Sequence, residues 1–423
     1  MKIVAIETIV PGELSQLPAL VFVRIHTDDG LVGCGETYYT PRAVSAYIHE
    51  FLAPLVLGMD VTAPEAVWET AYSAAAKFGG KGLELRALSA VDIAGWDLVA
   101  QAAEMPLYEV LGGPVRATVP TYNTCGGSTY GRGWRPGYGS DSEVGDLDDA
   151  AAFHSRPAEL ARELIEEGFA GMKIWPFDRL AHEHGGQTIT HSDVARGLEP
   201  FRRIREAVGR DIEIMAEGHG FWSLGAAKVI ARGLEPFEPA WIEDLMLADC
   251  PEALAELKHS TSIPVVASEY LMTRFEYAAM IRAGAVDHVM IDPTWCGGIT
   301  EARRIVALAH AAKLPVTMHD CTGPFTLLAG IHLALSCTNS TYQEVARAYL
   351  RMVYPDFVDD RIKLVNGRIV PPERPGIGAQ LRSDLVDRPG VEQRWTRLER
   401  STRVPPKGIE VEAFVTRADE PRS

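Results

Sequence analysis

The chain has 423 residues and a formal charge of −16, with 47% hydrophobic and 23% charged residues. These proportions are typical of a globular protein, and the length allows more than one domain. The acidic excess argues against nucleic acid or an anionic membrane surface as a partner, so an acidic substrate would need a locally positive site such as a bound cation.

The N-terminal segment MKIVAIETIV lacks the charged start and long apolar core of a signal peptide. No apolar run reaches the length needed to span a membrane. The six cysteines contain no CxxC pair, which suits a reducing compartment and gives no disulfide framework. We therefore expect a cytoplasmic protein with no membrane partner.

Residues 1–115 predict an α+β capping domain. Segments 1–10 and 19–39 alternate as antiparallel strands around Asp29-Gly30, a strong hairpin signal. Helical patterns follow over 42–58, 63–79 and 84–112, and the last stops at Gly112-Gly113-Pro114. Strands followed by helices without alternation indicate a domain separate from the rest of the chain.

From residue 117 onward, strand and helix patterns alternate and predict a (β/α)8-type barrel over residues 116–355. No GxGxxG motif follows an early strand, as an open nucleotide-binding sheet would require. A Gly- and Ser-rich segment, 125–146, is a long insertion after the first strand, and a disordered loop and a functional lid stay open for it. We assign 356–423 to a C-terminal segment that completes the cap, with the last ~20 residues flexible. Eight strand candidates lie at 117–123, 170–175, 212–217, 240–245, 264–269, 286–292, 315–320 and 341–345.

Acids and a histidine end six successive strand candidates at intervals of 23 to 27 residues. That interval fits one strand, one helix and two short loops. In a parallel barrel, the carboxyl ends of the strands converge on one site. The series therefore predicts an active site that combines metal and acid–base chemistry. Its members are Glu217, Glu243, Glu269, Asp292, His319 and Glu344.

Three glutamates, Glu217, Glu243 and Glu269, end consecutive apolar runs and are the candidate metal ligands. Taken singly, each could be a solvated acid at a loop. Their regular placement favours metal ligation. Carboxylate ligands select a hard cation, so Mg²⁺ is expected, with Mn²⁺ as the alternative and zinc disfavoured.

The candidate acid–base groups follow the same strands. Asp292 could fix the tautomer of His319 and raise its basicity, as a general base requires, although a structural pair is the alternative. His219 lies two residues past Glu217, and an extended chain would point both side chains to one face. Lys173 in an apolar strand must be paired or face the site, and a structural and a chemical role stay open. Glu344 could stabilise developing negative charge.

Taken together, the antiparallel cap, the ordered series and the segments 268–305, HDCTGP (319–324) and PGIGA (375–379) resemble the enolase superfamily. The resemblance covers nearly the whole chain. It is closest to the mandelate racemase branch, and within that branch to acid sugar dehydratases of galactonate-dehydratase type.

This resemblance implies roles for the series. The three glutamates would bind Mg²⁺, which binds the carboxylate of a small acid sugar, and Asp292 with His319 would remove the α-proton. Glu344 would donate a hydrogen bond to the enediolate, and His219 would protonate the leaving β-hydroxyl. We further expect a homo-oligomer, and substrate contacts from Trp175, Tyr38 and Asn123.

Two departures from the branch affect the expected reaction. The first ligand is usually Asp, whereas here it is Glu217. Racemases of the branch carry a KxK pair, whereas here the segment reads Lys173-Ile174-Trp175 and lacks the second lysine. Dehydration to a 2-keto-3-deoxy acid is therefore favoured over racemisation. A cycloisomerase, lactonising enzyme or epimerase on the same scaffold is the first alternative, and a non-catalytic regulatory homologue the second.

Overall fold

The computed structural model describes residues 1–132, 147–398 and 409–415. The chain begins with an antiparallel sheet of β1 (Ile3–Val10), β2 (Leu20–Thr27) and β3 (Val32–Tyr38). Strands β2 and β3 are joined by the predicted turn, where Gly30 has a φ of 90° that glycine adopts without steric penalty. The predicted hairpin is confirmed.

Five helices follow this sheet, and alternate side chains of β2 reach two different cores. Val21 and Val23 pack in the core shared with the helices, whereas Phe22 points the other way and meets Phe325 of the barrel at a ring distance of 6.1 Å. A π-helical turn at Ile48–Leu52 joins the first two helices. The helices are α1 (Pro41–Tyr47), α2 (Ala53–Val56), α3 (Pro64–Ala75), α4 (Leu83–Ala102) and α5 (Leu107–Val110).

Eight parallel strands then close into a barrel, because the last strand pairs with the first through Glu344 and Tyr122. This confirms the predicted (β/α)8-type barrel with an N-terminal α+β capping domain. The strands are β4 (Val119–Thr124), β5 (Gly171–Ile174), β6 (Glu213–Glu217), β7 (Trp241–Glu243), β8 (Val265–Ala267), β9 (His288–Ile291), β10 (Val316–Met318) and β11 (Ser340–Val345).

Helices surround the barrel. Thr190 and Ser223 cap two of them, each accepting a hydrogen bond from a backbone N–H three residues ahead. The helices are α6 (Asp149–Ser155), α7 (Pro157–Glu166), α8 (Asp178–His184), α9 (His191–Val208), α10 (Leu224–Leu234), α11 (Pro251–His259), α12 (Thr273–Arg282), α13 (Gly298–Ala311) and α14 (Pro324–Ser336). Among the described residues, no helix is both long enough and apolar enough to cross a membrane.

The C-terminal residues return to the N-terminal sheet. Strands β12 (Leu364–Val365) and β13 (Arg368–Ile369) form a hairpin beside β4, after which β14 (Glu392–Leu398) pairs with β1. The backbone of β15 (Ile409–Val415) adds the edge strand, within the tail that the sequence predicts to be flexible. Most of the candidate lid, residues 133–146, lies outside the described residues, as does the rest of that tail.

Apolar side chains fill the barrel interior. Five inward-facing residues from five strands form a separate buried cluster, so the barrel is a packed core and not a pore. The candidate site residues lie beyond this cluster, at the carboxyl ends of the strands. The cluster consists of Tyr122, Met215, Trp241, Val266 and Met290.

Candidate active site

Three buried glutamates meet at the carboxyl ends of β6, β7 and β8. Glu217 and Glu243 end their strands, and Glu269 follows β8 by two residues. One carboxylate oxygen from each lies within 4.8 Å of the others. Within the described residues, Glu269 Oε2 is buried without a hydrogen-bond partner, and Glu217 Oε2 has the Lys173 ammonium 3.2 Å away. Buried carboxylate oxygens that converge in this way fit a hard divalent cation.

Lys173 on β5 is the cation that the structure places among these acids. Its Nζ lies 2.6 Å from Glu243 Oε1, 2.8 Å from Glu344 Oε1 and 3.2 Å from Glu217 Oε2. Burial opposes its charge, but Glu243 and Glu344 outweigh burial and raise the pKa of Lys173 well above its ordinary value. An ammonium held this firmly in its charged form is a poor base, so the geometry supports the structural role for Lys173.

Negative charge is still in excess around that lysine. Burial raises the pKa of Glu243 well above its ordinary value despite Lys173, and Glu217 adds to the rise. A divalent cation at the three glutamates would relieve this repulsion. Trp241 Nε1 donates to Glu243 Oε2 at 2.8 Å, which fixes the orientation of that carboxylate.

His319 and Asp292 form a buried pair beside the acids. Asp292 Oδ2 lies 2.7 Å from His319 Nδ1, and Asp292 Oδ1 accepts from the backbone N–H of Thr294 at 2.7 Å and from its hydroxyl at 2.6 Å. Burial alone would lower the pKa of His319, but the charges of Glu344 and Glu269 outweigh it and raise the pKa to about 9. The aspartate is thus anchored and leaves His319 Nε2 for another partner.

Glu344 connects this pair to the lysine. Its Oε1 pairs with Lys173, and its Oε2 accepts from the backbone N–H of Asp320 at 3.1 Å and lies 4.0 Å from His319 Nε2. A substrate group near His319 Nε2 would therefore meet Glu344 and Lys173 as well. The predicted site role of Glu344 fits this position.

His219 lies at the site, but on a turn and not on the extended strand that the sequence predicts. The extended strand ends at Glu217, and His219 has a left-handed φ of 46°, so the two side chains do not share a strand face. The His219 backbone N–H donates to Glu217 Oε1 at 2.8 Å, which holds this turn closed. Backbone conformations of this kind cost roughly 1–3 kcal/mol and concentrate at functional sites.

Asp178, which the sequence analysis does not identify, pairs with His219. Its Oδ2 lies 2.6 Å from His219 Nδ1, and it is the first residue of α8, four residues past the end of the strand of Lys173. Burial alone would lower the pKa of His219, but Asp178 and Glu217 outweigh it and raise the pKa to about 9. The sequence shows Asp178 only as an acid shortly after a strand candidate, outside the regular series of strand-end residues.

The two histidine–aspartate pairs are opposed across the barrel. His219 follows the third barrel strand and His319 the seventh, so three of the eight strands lie between them on either side. Each histidine uses Nδ1 for its aspartate and packs against a tryptophan, with ring distances of 5.5 Å to Trp175 and 5.3 Å to Trp295. A ligand at the three glutamates would lie between two imidazoles.

The three residues predicted to contact the substrate lie in different surroundings. Trp175 is buried against His219 and thus forms part of the site wall. The Tyr38 hydroxyl donates to the Gly131 carbonyl at 3.4 Å, at the junction of cap and barrel. The Asn123 amide donates to Asp149 Oδ2 at 2.9 Å and accepts from the backbone N–H of Arg347 at 2.9 Å. Asn123 is therefore committed to a buried structural network, contrary to the prediction.

Two family matches cover most of the chain. Residues 11–112 match the mandelate racemase / muconate lactonizing enzyme N-terminal domain, and residues 156–385 match the family described as enolase C-terminal domain-like.

Similar proteins match over almost the same span. A D-galactonate dehydratase of Xanthomonas oryzae pv. oryzae is 30% identical over 382 residues, covering 88% of this chain and 91% of its own. A crystal structure of an enolase protein from environmental sequencing of the Sargasso Sea is 37% identical with a TM-score of 0.83, covering 94% of this chain and 100% of its own. An Agrobacterium tumefaciens enolase of the mandelate racemase subgroup is 35% identical with a TM-score of 0.83, covering 94% and 99%.

Proposed function

The chain belongs to the enolase superfamily, and from that premise we propose that it is a Mg²⁺-dependent dehydratase of acid sugars. It would remove the proton α to the carboxylate of an aldonate or aldarate and eliminate the β-hydroxyl as water. The observation that carries the proposal is the pair of opposed histidine–aspartate units on either side of an acidic triad.

The metal-binding step rests on Glu217, Glu243 and Glu269. Enolase superfamily members bind a divalent metal, and this chain holds the buried acidic triad that such an ion requires. We assign Mg²⁺ because all three ligands are carboxylates, which hard cations prefer. When bound, the cation supplies positive charge to the substrate carboxylate, where negative charge grows as the α-proton leaves.

Proton removal is assigned to His319. Asp292 holds Nδ1, so Nε2 is the nitrogen that accepts the α-proton, and the aspartate stabilises the imidazolium that results. Lys173 and Glu344 lie on the same side of the site and form a preorganised ion pair next to the charge that develops. Preorganised charge of this kind costs no reorganisation during the reaction.

Loss of the hydroxyl is assigned to His219. Asp178 occupies Nδ1, so Nε2 would donate the proton to the departing β-oxygen. The electron pair of the broken C–H bond is first held as the enediolate of the carboxylate. It then forms the C2–C3 double bond as the C3–O bond breaks, and water leaves. The resulting enol takes a proton at C3 and releases the proton of its C2 hydroxyl, which gives a 2-keto-3-deoxy acid with atoms and charge in balance.

Epimerisation at C2 is the second candidate, and the same opposed histidines favour it. One imidazole could remove the α-proton while the other returns a proton to the opposite face. The dehydratase relative supports elimination instead, as does the absence of a second lysine at Trp175.

The test is a substrate panel. Purified protein with Mg²⁺ is incubated in D₂O with aldonic and aldaric acids of varied configuration, and products are followed by ¹H NMR. Formation of a 2-keto-3-deoxy acid supports dehydration, whereas C2 epimers without keto acid would assign the epimerase reaction. If no acid in the panel exchanges its α-proton or forms product, the proposed function is wrong.

A further inference from the structure

We propose that Arg86 and Trp295 bind a second carboxylate at the far end of the substrate, which makes aldarates, the diacids, the substrate class. This inference rests on the proposed function and narrows it. Arg86 belongs to the capping domain, on α4, and Trp295 to the loop that follows β9 of the barrel. The subsite is thus built across the contact between the two domains.

Arg86 reaches the catalytic region through aromatic contacts. Its Cζ lies 4.4 Å from the ring centroid of Trp295 and 5.0 Å from that of Tyr39. Trp295 in turn lies 5.3 Å from the ring of His319 and 5.9 Å from that of Tyr270, the residue after Glu269. A single indole therefore separates the guanidinium from the proposed base.

The guanidinium has no carboxylate partner among the described residues. Its one hydrogen bond there goes to the backbone carbonyl of Tyr38, at 3.2 Å. Burial lowers the pKa of Arg86 more than Tyr39 and Asp292 raise it, as expected for a cation without a close acid. A guanidinium has five N–H donors in one plane, and in Arg86 only one nitrogen donates a hydrogen bond to a described residue. The remaining N–H groups can therefore pair with both oxygens of a carboxylate.

Other sequestered arginines of this protein are paired differently. Arg347 is 2% exposed and donates to Asp149 and to two further glutamates. Arg274 pairs with the buried Glu301 through two contacts of its guanidinium.

Among the described residues, Arg116 and Arg205 are half-buried like Arg86 and also lack a carboxylate partner, but they donate to three and four backbone carbonyls, whereas Arg86 donates to one. Because a poorly solvated cation is costly without acceptors, a negatively charged ligand would complete the contacts of Arg86.

The indole N–H of Trp295 is a second, independent indication of a ligand at this position. Trp295 is only 2% exposed, and its Nε1–H has no acceptor within the described residues. Buried indole N–H groups are normally hydrogen-bonded. The unpartnered indole N–H and a guanidinium with one backbone acceptor thus lie together near His319. A carboxylate has enough acceptor sites for both, whereas the terminal hydroxymethyl of an aldonate does not neutralise the cation.

The test compares matched substrates on the Mg²⁺-loaded protein. kcat/KM is measured for galactarate against galactonate and for glucarate against gluconate, pairs that differ only in the terminal group. We expect the diacid to be preferred, and Arg86→Met to lower kcat/KM for the diacid by about 10²-fold, as for a lost buried ion pair. The small activity on the monoacid should change little. Trp295→Phe keeps the ring, removes the N–H and should lower only the diacid reaction.

The matched control is Arg303→Met, because exposed Arg303 also stacks on a tryptophan, Trp96, at 5.3 Å. It should leave the diacid preference unchanged. If Arg86→Met does not fold, Arg86→Lys carries the test: it keeps the charge and loses the fork, so diacid activity should fall more than monoacid activity. A wild-type preference for the monoacid, or an equal loss on both substrates, would overturn the inference.

A binding measurement can test the carboxylate subsite independently of the proposed reaction. Calorimetric titration of the Mg²⁺-loaded protein with adipate and with hexanoate needs no turnover. Tighter binding of adipate that Arg86→Met abolishes supports the subsite even if no sugar acid is dehydrated. Dehydration of acid sugars with equal binding of the two probes would keep the proposed function and remove the subsite.

Discussion

Replacing His219 with Asn should separate elimination from proton abstraction. In the proposed reaction, His219 acts only when the C3–O bond breaks, whereas His319 acts only on the α-proton. Each imidazole has its own aspartate, at 2.6 Å and 2.7 Å, and neither pair shares a partner with the other. The variant should therefore lose dehydration and keep α-proton exchange.

The expected loss of dehydration rate follows from the role of His219 as a general acid. A missing general acid lowers the rate by about 10²–10⁴-fold, which is roughly 3–5 kcal/mol of barrier. Exchange should stay within about threefold of the wild type, because the two histidines use different hydrogen-bond partners and weakly coupled sites behave almost independently. The charge of Glu269, which raises the pKa of both histidines, is the coupling that remains.

Both rates can be measured on one sample. A turned-over acid sugar is incubated with Mg²⁺ in D₂O, and ¹H NMR follows the loss of the C2 proton signal and the growth of keto acid. His182→Asn is the control, since His182 is an exposed histidine on α8, the helix that Asp178 begins. If exchange and dehydration fall together, His219 positions the substrate. If neither falls, it has no part in the reaction.

Three further predictions concern neighbouring groups. Asp178→Asn should slow dehydration at least about tenfold, and adding it to His219→Asn should cost nothing more, because the two act as a unit; additive losses would separate them. Glu243→Gln should weaken Mg²⁺ binding in calorimetry and abolish turnover with the fold intact, and full activity after EDTA treatment would contradict the metal assignment. His319→Asn should stop α-proton exchange, and undiminished exchange would exclude His319 as the base.

The barrel and its series of acids could be predicted because both are periodic. Each βα unit repeats an apolar run, a polar end and a helix, so the strand ends are visible as a regular spacing. Parallel strands in a closed barrel bring their carboxyl ends to one place, so the regular spacing also predicts that these side chains form one site. Glu217, Glu243 and Glu269 accordingly lie within reach of one ion.

The residue roles that the sequence pattern did not predict depend on local backbone geometry and on contacts between distant side chains. Alternation along a strand places His219 beside Glu217 only while the chain stays extended, and it turns left-handed at φ 46° instead. Asp178 and Asn123 depend on side-chain partners far apart in sequence, which periodicity does not encode. The Asn123 amide is used by Asp149 and Arg347, partners that become visible only once the chain is folded.

The two proposals assign chemistry to the barrel and substrate selectivity to the capping domain, and that division can be tested. His219 is set by a barrel strand end, whereas Arg86 comes from a capping helix and meets Trp295 only across the domain contact. If Arg86 acts on binding alone and His219 on C–O cleavage alone, their effects on diacid dehydration should multiply in the double variant. Loss smaller than the product would mean that the subsite also aligns the β-hydroxyl with His219, so that the cap takes part in the chemical step.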